Sequence, residues 1–323
     1  MSEPGAAREI EPKKQPLFIL EPGVGEYRHT FLPLEESLIA SGVSVVVGEH
    51  PEPGHVKELR VEFASAQDRA RELYAGNMDE AVLEHLLDSI PLSLFRGALS
   101  VIRLIEANMQ DADDRIILAG HSMGAAEIVI AAFLRPDLNI QKLILINPAA
   151  WTDKRDHPSP YLKGAEALNA RKNNAFLAML AEKWRAIDIF RRVSFTLFVA
   201  ESIDSFFKTA SRKTRMQQAI VDGLRYLGER LMNGQIFAEA HGAANFDALP
   251  YLDALHDLKG LSVDVVYDKD DSNFPARLIK GRVREQRGKR GWISLHSTKG
   301  FGHYGPVKDP EYFVSLIQSI LAS

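Results

Sequence analysis

The stretch at residues 114–130 has the pattern of a buried strand, a tight turn and a helix. Its sequence is Asp-Arg-Ile-Ile-Leu-Ala-Gly-His-Ser-Met-Gly-Ala-Ala-Glu-Ile-Val-Ile. An apolar run that passes through Gly-x-Ser-x-Gly into small and apolar residues can fold in few ways, because so sharp a turn forces its central residue into a strained backbone conformation. The sequence therefore predicts a strand that ends before Ser122 and a helix that begins directly after it.

Two glycines flank this serine, Gly120 two residues before it and Gly124 two residues after it. A side chain at either position would collide within the turn, so both are predicted to be required by close packing. The turn lifts the serine hydroxyl above the carboxyl end of the sheet. It also places backbone N–H groups at a helix N-terminus, where they can meet a developing oxyanion. A small-residue turn that only packs a helix on a strand is the alternative.

Composition limits the class of protein. The 323 residues are 46% hydrophobic, which is enough for a sizeable core in one large domain or in a core with an inserted subdomain. The formal net charge is −4, so no overall field favours nucleic acid or an anionic membrane. Cysteine is absent, which excludes disulfides and thiol catalysis and is typical of a reducing compartment. We therefore expect a cytoplasmic protein.

Short apolar runs alternate with helical stretches, which is typical of a mostly parallel sheet covered on both faces. The predicted strands are Leu17–Glu21, Val43–Glu49, Arg115–Ala119, Lys142–Ile146, Ser262–Tyr267 and Trp292–His296. The predicted helices lie within Thr30–Ala40, Asp79–Ala107, Met123–Leu134, Pro275–Arg287 and Pro310–Ala322. We expect a flexible polar tail at 1–15, which is neither a signal peptide nor an anchor, a core at 16–150 and 261–323, and a helical cap at 151–260.

The loops after the predicted fifth and sixth strands carry side chains that can take part in acid–base catalysis. The fifth strand runs into Asp-Lys-Asp-Asp-Ser-Asn-Phe-Pro at residues 268–275, a loop rich in carboxylates. The sixth is followed by Lys-Gly-Phe-Gly-His-Tyr-Gly-Pro at residues 299–306, which presents the histidine His303. Serine, acid and histidine follow one another here in the order that strand-turn-helix serine hydrolases use.

These motifs resemble those of the α/β-hydrolase superfamily, and the resemblance extends from about Leu17 to Leu321, with the predicted cap least matched. It implies an α/β class protein with the α/β-hydrolase fold, a mostly parallel twisted sheet with helices on both faces and an inserted helical cap. It also implies that Ser122 is the nucleophile and that His303, in a Gly-His pair, is the base.

The acid of this family follows a strand in the pattern Gly-x-x-Asp-x-x-x-Pro. Aligned on Pro275, the pattern makes Asp271 the acid and puts Asp268 where the family has glycine. Asp270 is the runner-up, and Asp268 and Asp264 are the remaining alternatives.

Two other positions are interpreted through the same resemblance. The family's second acid site, after the predicted strand Lys142–Ile146, holds Asn147 in this chain. An amide cannot stabilise an imidazolium as a carboxylate does, which favours the later acid site. His121, directly before the predicted nucleophile, is interpreted as packing support.

A second oxyanion donor is expected in the loop after the first strand, where the family usually has His-Gly-x. This chain has Pro22 in place of the histidine, followed by Gly-Val-Gly. We assign the two donors to the N–H groups of Val24 and Met123, with Gly25 or Glu26 as alternatives to Val24. An ordinary glycine-rich turn is the other interpretation, and the loop lacks the lysine and the spacing of a phosphate or dinucleotide cradle.

The resemblance implies a serine hydrolase that forms an acyl-enzyme. We expect a small-molecule substrate, a carboxylic ester with a small or medium apolar acyl group. Thioester cleavage, acyl transfer, carbon–carbon bond hydrolysis and perhydrolysis are the alternative reactions, and a non-catalytic ligand receptor is a third interpretation. No cofactor, metal, nucleic acid or membrane span is expected, since the histidines lack metal-ligand spacing and no apolar run is long enough. Peripheral membrane contact and the oligomeric state stay open.

Overall fold

The computed structural model describes residues 15–23, 28–49, 56–111, 113–149, 242–243, 246–271, 274, 276–286 and 291–323. Several predictions concern residues outside these ranges. They are the tail at 1–14, most of the cap at 151–260, and the oxyanion donor Val24 with its alternatives Gly25 and Glu26.

Six parallel strands form the central sheet of the described residues. They are β1 (Leu17–Glu21), β2 (Val45–Val47), β3 (Ile116–His121), β4 (Ile140–Ile146), β5 (Ser262–Asp268) and β6 (Ile293–Thr298). Their order across the sheet is β2-β1-β3-β4-β5-β6, and every neighbouring pair is parallel. The predicted mostly parallel sheet is therefore confirmed. It aligns the carboxyl ends of all six strands at one edge.

Nine helices occur in the part of the chain that the structure describes. They are α1 (Arg28–Ala40), α2 (Val56–Tyr74), α3 (Glu80–Asp88), α4 (Leu92–Asn108), α5 (Met123–Leu134), α6 (Leu249–Lys259), α7 (Ala276–Gln286), α8 (Gly305–Lys308) and α9 (Pro310–Ala322). The range Asp79–Ala107, predicted to be largely helical, corresponds to the two helices α3 and α4. Pro91 separates them, because proline has no N–H and disfavours helical backbone in the residue before it. α2 and α8 lie where no helix is predicted.

The helices cover both faces of the sheet. On one face α5 is buried on all sides, because it lies between the sheet, α4 and α6. A helix that is apolar around its whole circumference suits such a place. On the other face α1 and α9 pack together over the sheet. The buried side chains of this second layer include Phe18, Leu20, Phe31, Leu34, Ile144, Ile146, Phe313 and Ile317.

α6 falls at the end of the range predicted as the cap, and it packs into the same core as α5. The ring of Tyr251 meets the ring of Phe133 edge-on, with centroids 5.0 Å apart. The Tyr251 hydroxyl donates to the carbonyl oxygen of Leu86 at 2.8 Å. These contacts attach α6 to the helical layer that supports β3. Among the described helices, none combines the length and the apolar character needed to cross a bilayer.

Candidate active site

Ser122 lies between the carboxyl end of β3 and the first residue of α5. Its backbone has φ 54° and ψ −118°, a positive φ that non-glycine residues rarely adopt. Two main-chain hydrogen bonds hold it there, because its N–H donates to Ile146 O at 2.9 Å and its carbonyl accepts from Ala149 N at 3.0 Å. The chain just after β4 therefore supports the strained turn.

The two flanking glycines lie where the backbone leaves no room for a side chain. A Cβ added to Gly120 would overlap the carbonyl of Gly124, and a Cβ added to Gly124 would overlap the carbonyl oxygens of Glu21 and Pro22. Gly120 thus allows the end of β3 to pack on the start of α5, and Gly124 allows the start of α5 to pack on the end of β1.

The hydroxyl of Ser122, the imidazole of His303 and the carboxylate of Asp271 form a chain of hydrogen bonds. The Ser122 Oγ atom lies 2.9 Å from His303 Nε2, and Asp271 Oδ2 lies 2.9 Å from His303 Nδ1. All three residues are buried, with 8%, 4% and 4% exposure in the order Ser122, His303, Asp271. Since a carboxylate only accepts, Nδ1 carries the proton and Nε2 is left to accept from the serine hydroxyl. The structure thus brings the three predicted side chains together.

Asp271 is fixed by its own loop. Its Oδ1 atom accepts from Phe274 N at 3.0 Å, which leaves Oδ2 for the imidazole. The ring of Phe274 lies against the imidazole of His303, with centroids 5.4 Å apart. One short segment therefore orients the carboxylate and packs on the histidine.

The other candidate acids nearby contact different groups. Asp270 is exposed, and its Oδ2 atom accepts from Gly300 N at 2.9 Å. Asp268 is fully buried and accepts from the Asp270 N–H at 2.8 Å, from Thr298 Oγ1 at 2.8 Å and from Phe301 N at 3.2 Å. Asp268, at the position where the family has glycine, thus joins the loop that carries Asp271 to the loop that carries His303. These two loops are called the acid loop and the histidine loop.

Asp264 lies further back along β5, away from the imidazole of His303. Its carboxylate is 2.7 Å from His296 Nε2 and 3.3 Å from Lys142 Nζ. Across the residues that the structure describes, no group of three or more histidine, aspartate or glutamate side chains is arranged to hold a metal ion.

Two polar side chains at the site make contacts that go beyond the sequence interpretation. Asn147 donates through Nδ2 to His303 O at 2.8 Å and to Gly302 O at 3.1 Å, and its Oδ1 accepts from Asp268 N at 2.8 Å. His121, interpreted as packing support, also lies with Nε2 at 2.7 Å from His303 O. The sequence feature that could have indicated these contacts is the asparagine at the family's second acid position. Asparagine tolerates positive φ, and its side chain carries both a donor and an acceptor.

Met123 is the first residue of α5. The N–H groups in the first turn of a helix have no carbonyl of the same helix four residues earlier to which they can donate. That position suits an oxyanion donor beside Ser122. The second donor, assigned to Val24, lies outside the described residues and stays a prediction.

No protein-family model matches the chain, and no curated protein is significantly similar to it. Among solved structures, it is similar to a thermophilic esterase from Thermogutta terrifontis, with a TM-score of 0.54, 16% identity, and coverage of 95% of this chain and 89% of the esterase. A bromoperoxidase from Bacillus anthracis gives a TM-score of 0.55 at 11% identity, covering 96% and 93%.

An epoxide hydrolase from Vigna radiata gives a TM-score of 0.52 at 13% identity, covering 96% of this chain and 92% of that one. A further similar structure, from a deep-sea metagenome library, carries the description α/β hydrolase and gives a TM-score of 0.53 at 11% identity, covering 99% and 92%. Likeness at such low identity shows the fold. The chain therefore has the α/β-hydrolase fold that its sequence motifs predict.

Proposed function

We propose that the chain is a serine hydrolase that cleaves a carboxylic ester of small or medium apolar acyl group through a covalent acyl-enzyme. The observation that carries this proposal is the hydrogen-bonded chain from Ser122 through His303 to Asp271. A hydroxyl, an imidazole and a carboxylate in this order are the components of an activated serine nucleophile.

In the proposed reaction, His303 Nε2 takes the proton of Ser122 Oγ as the oxygen bonds to the substrate carbonyl carbon. The resulting oxyanion accepts from the N–H of Met123 and from a second N–H that we assign to Val24. The ester C–O bond then breaks, and the alkoxide leaves with the proton from Nε2. Asp271 stabilises the imidazolium throughout.

Water completes the cycle through the same groups. His303 takes a proton from the water as its oxygen attacks the acyl carbon. The bond to Ser122 Oγ then breaks, and Nε2 returns the proton to that oxygen. The carboxylic acid leaves and the free serine is restored, so no cofactor enters the balance.

The free-energy cost of forming this site favours a catalytic role over that of a ligand receptor. A non-glycine residue at positive φ costs on the order of 1–3 kcal/mol, and Ser122 is held in that conformation. A carboxylate buried to 4% exposure also needs its partners to offset the loss of hydration. Neither feature is required for a pocket that only binds.

Support for an apolar acyl group comes from the ring of Phe274, which packs beside His303. An apolar wall at this position favours an apolar substituent near the reacting carbonyl.

The proposal is tested with a fluorophosphonate probe and with p-nitrophenyl butyrate. The wild-type protein should be labelled and should hydrolyse the ester, whereas Ser122→Ala should do neither and should keep its circular dichroism spectrum. Ser100→Ala is the matched control, because Ser100 lies on α4 and its Oγ donates to the carbonyl of Glu49, which is outside the proposed triad. Full hydrolysis by Ser122→Ala, or a wild-type protein inert to probe and ester, would refute the proposal.

A panel of esters, thioesters and β-diketones then identifies the bond that is cleaved. Highest kcat/KM on esters is the expected result. A preference of tenfold or more for a thioester or a diketone, about 1.4 kcal/mol in transition-state stabilisation, would reassign the reaction while keeping the serine mechanism.

A further inference from the structure

The chain segment that follows β4 contacts all three members of the proposed triad or their loops. Its main chain bonds to Ser122 on both sides, through the carbonyl of Ile146 and the N–H of Ala149. Between these two residues lies Asn147, whose side chain reaches the acid loop and the histidine loop. A single segment of four residues thus connects the nucleophile, the acid and the base.

Asn147 is buried to 1% exposure, and its backbone has φ 42°. It shares a positive φ with only Ser122 among the non-glycine residues that the structure describes. Asparagine is among the few residues that adopt this conformation readily. The amide is also used in full, because two protons of Nδ2 meet two carbonyl oxygens and Oδ1 meets a backbone N–H.

The carbonyl oxygen of His303 receives two side-chain donors. One is Asn147 Nδ2 at 2.8 Å, and the other is His121 Nε2 at 2.7 Å. Since a carbonyl only accepts, His121 must carry its proton on Nε2 to make this bond. The His121 ring also lies 4.9 Å from the His303 ring, centroid to centroid.

We infer that Asn147 is a positioning residue for the triad, which together with His121 fixes the main chain of His303 and so aims its imidazole between Ser122 and Asp271. The inference rests on the proposed function. Asn147 acts through the carbonyl of His303 and the N–H of Asp268. It occupies the family's second acid position, where its amide serves to join loops.

Two variants separate the effect of the Asn147 side-chain hydrogen bonds from the effect of its positive φ. Asn147→Gly keeps easy access to positive φ but removes all three side-chain hydrogen bonds. Asn147→Asp keeps the shape and the acceptor for Asp268 N, but it places a carboxylate oxygen against the carbonyls of Gly302 and His303. Asn139→Asp is the matched control, since Asn139 precedes β4 at its other end and its Nδ2 donates to the carbonyl of Asp113 at 3.0 Å.

The first readout is kinetic, with p-nitrophenyl butyrate and protein whose folded fraction is known from thermal unfolding. Both Asn147 variants should lose about 100-fold in kcat, because a catalytic group displaced by about 1 Å costs about that much, and KM should stay within about threefold. Asn139→Asp should keep the wild-type kcat. A merely structural role would lower the melting temperature and leave kcat per folded molecule unchanged, which would overturn the inference.

The second readout needs no substrate. In protein labelled with 15N-histidine, His121 should give the shifts of the Nε2–H tautomer, and the His303 shifts should change in Asn147→Asp but not in Asn139→Asp. If the wild-type protein neither hydrolyses esters nor reacts with a fluorophosphonate, the proposed function fails and these resonances alone decide. Unchanged His303 shifts in both Asn147 variants would then overturn the inference, and changed shifts would support it.

Discussion

Asp270 and Asp271 are neighbours in the chain, yet their carboxylates bind different groups of the histidine loop. Asp271 is buried with Oδ2 at 2.9 Å from His303 Nδ1, whereas Asp270 is exposed and accepts from the N–H of Gly300. The turn after β5 separates them, because Asp268 binds the N–H of each, through its carboxylate for Asp270 and through its carbonyl for Asp271. The pair therefore provides two near-identical substitutions with different expected effects.

Asp271→Asn should lower kcat for ester hydrolysis by about 10⁴-fold, since an amide holds the imidazole in the wrong tautomer and cannot stabilise the imidazolium. Asp270→Asn should stay within about threefold of wild type, because an exposed side chain on a neighbouring backbone N–H contributes little to the transition state. Steady-state kinetics of both variants on one ester give the comparison. Equal losses in the two variants would contradict the assignment of Asp271 as the acid.

Local sequence patterns were enough to predict most of the sheet and the helix after Ser122. β1 and α5 have their predicted bounds, because runs of predominantly apolar residues mark a buried strand and a buried helix. The helix α9 also begins at its predicted proline and ends at its predicted residue. In each case the information lies within a few consecutive residues.

The parts that sequence reasoning missed depend on contacts between distant segments or on weak patterns. Asn147 contacts residues more than 120 positions away, and nothing in its immediate sequence predicts those partners. About half of the residues of α2 are exposed, and its apolar residues are scattered among charged ones, so it lacks the apolar run by which a buried helix is found. The break between α3 and α4 has a local cause instead, because the covalent geometry of Pro91 interrupts a continuous helical pattern.

Gly124→Ala should destabilise the fold by about 1–3 kcal/mol, because its Cβ would overlap two backbone carbonyls at the end of β1, which have no freedom to move aside. Gly281→Ala is the matched control. It lies within α7, where an added Cβ meets nothing within 4 Å, so it should raise the free energy of unfolding by about 0.5–1 kcal/mol. Urea unfolding measures both. A neutral Gly124→Ala would contradict the close packing of α5 on β1.

Asp268→Asn should lower the free energy of unfolding by about 1–3 kcal/mol, because the isosteric amide offers one acceptor oxygen where the carboxylate serves three buried or partly buried donors. Asp309→Asn is the control, since Asp309 accepts from Tyr312 N at the start of α9 and asparagine caps a helix equally well. Chemical unfolding should separate the two variants clearly. Equal stabilities would mean that Asp268 does not join the two loops energetically.

Lys259, at the end of α6, should make stability depend on pH. Burial lowers its pKa from 10.5 to about 8, while Asp137 partly opposes the shift, and its Nζ donates to the carbonyl of Leu138 at 2.9 Å. The pKa is lower in the folded state than in the unfolded state, so the unfolded chain binds more protons between pH 8 and pH 10.5. The free energy of unfolding contributed by this group therefore rises with pH across that window.

Lys259→Met removes this titration, so the gain in unfolding free energy between pH 7.5 and pH 9.5 should be smaller in the variant than in the wild-type protein. The difference is at most about 3–4 kcal/mol over the full window, since each pKa unit corresponds to about 1.4 kcal/mol. Lys57→Met, at an exposed lysine on α2, should keep the wild-type slope. Urea unfolding at each pH measures the three slopes. Equal slopes in all three proteins would show that Lys259 has the same pKa in the folded and unfolded chains, which would contradict the prediction.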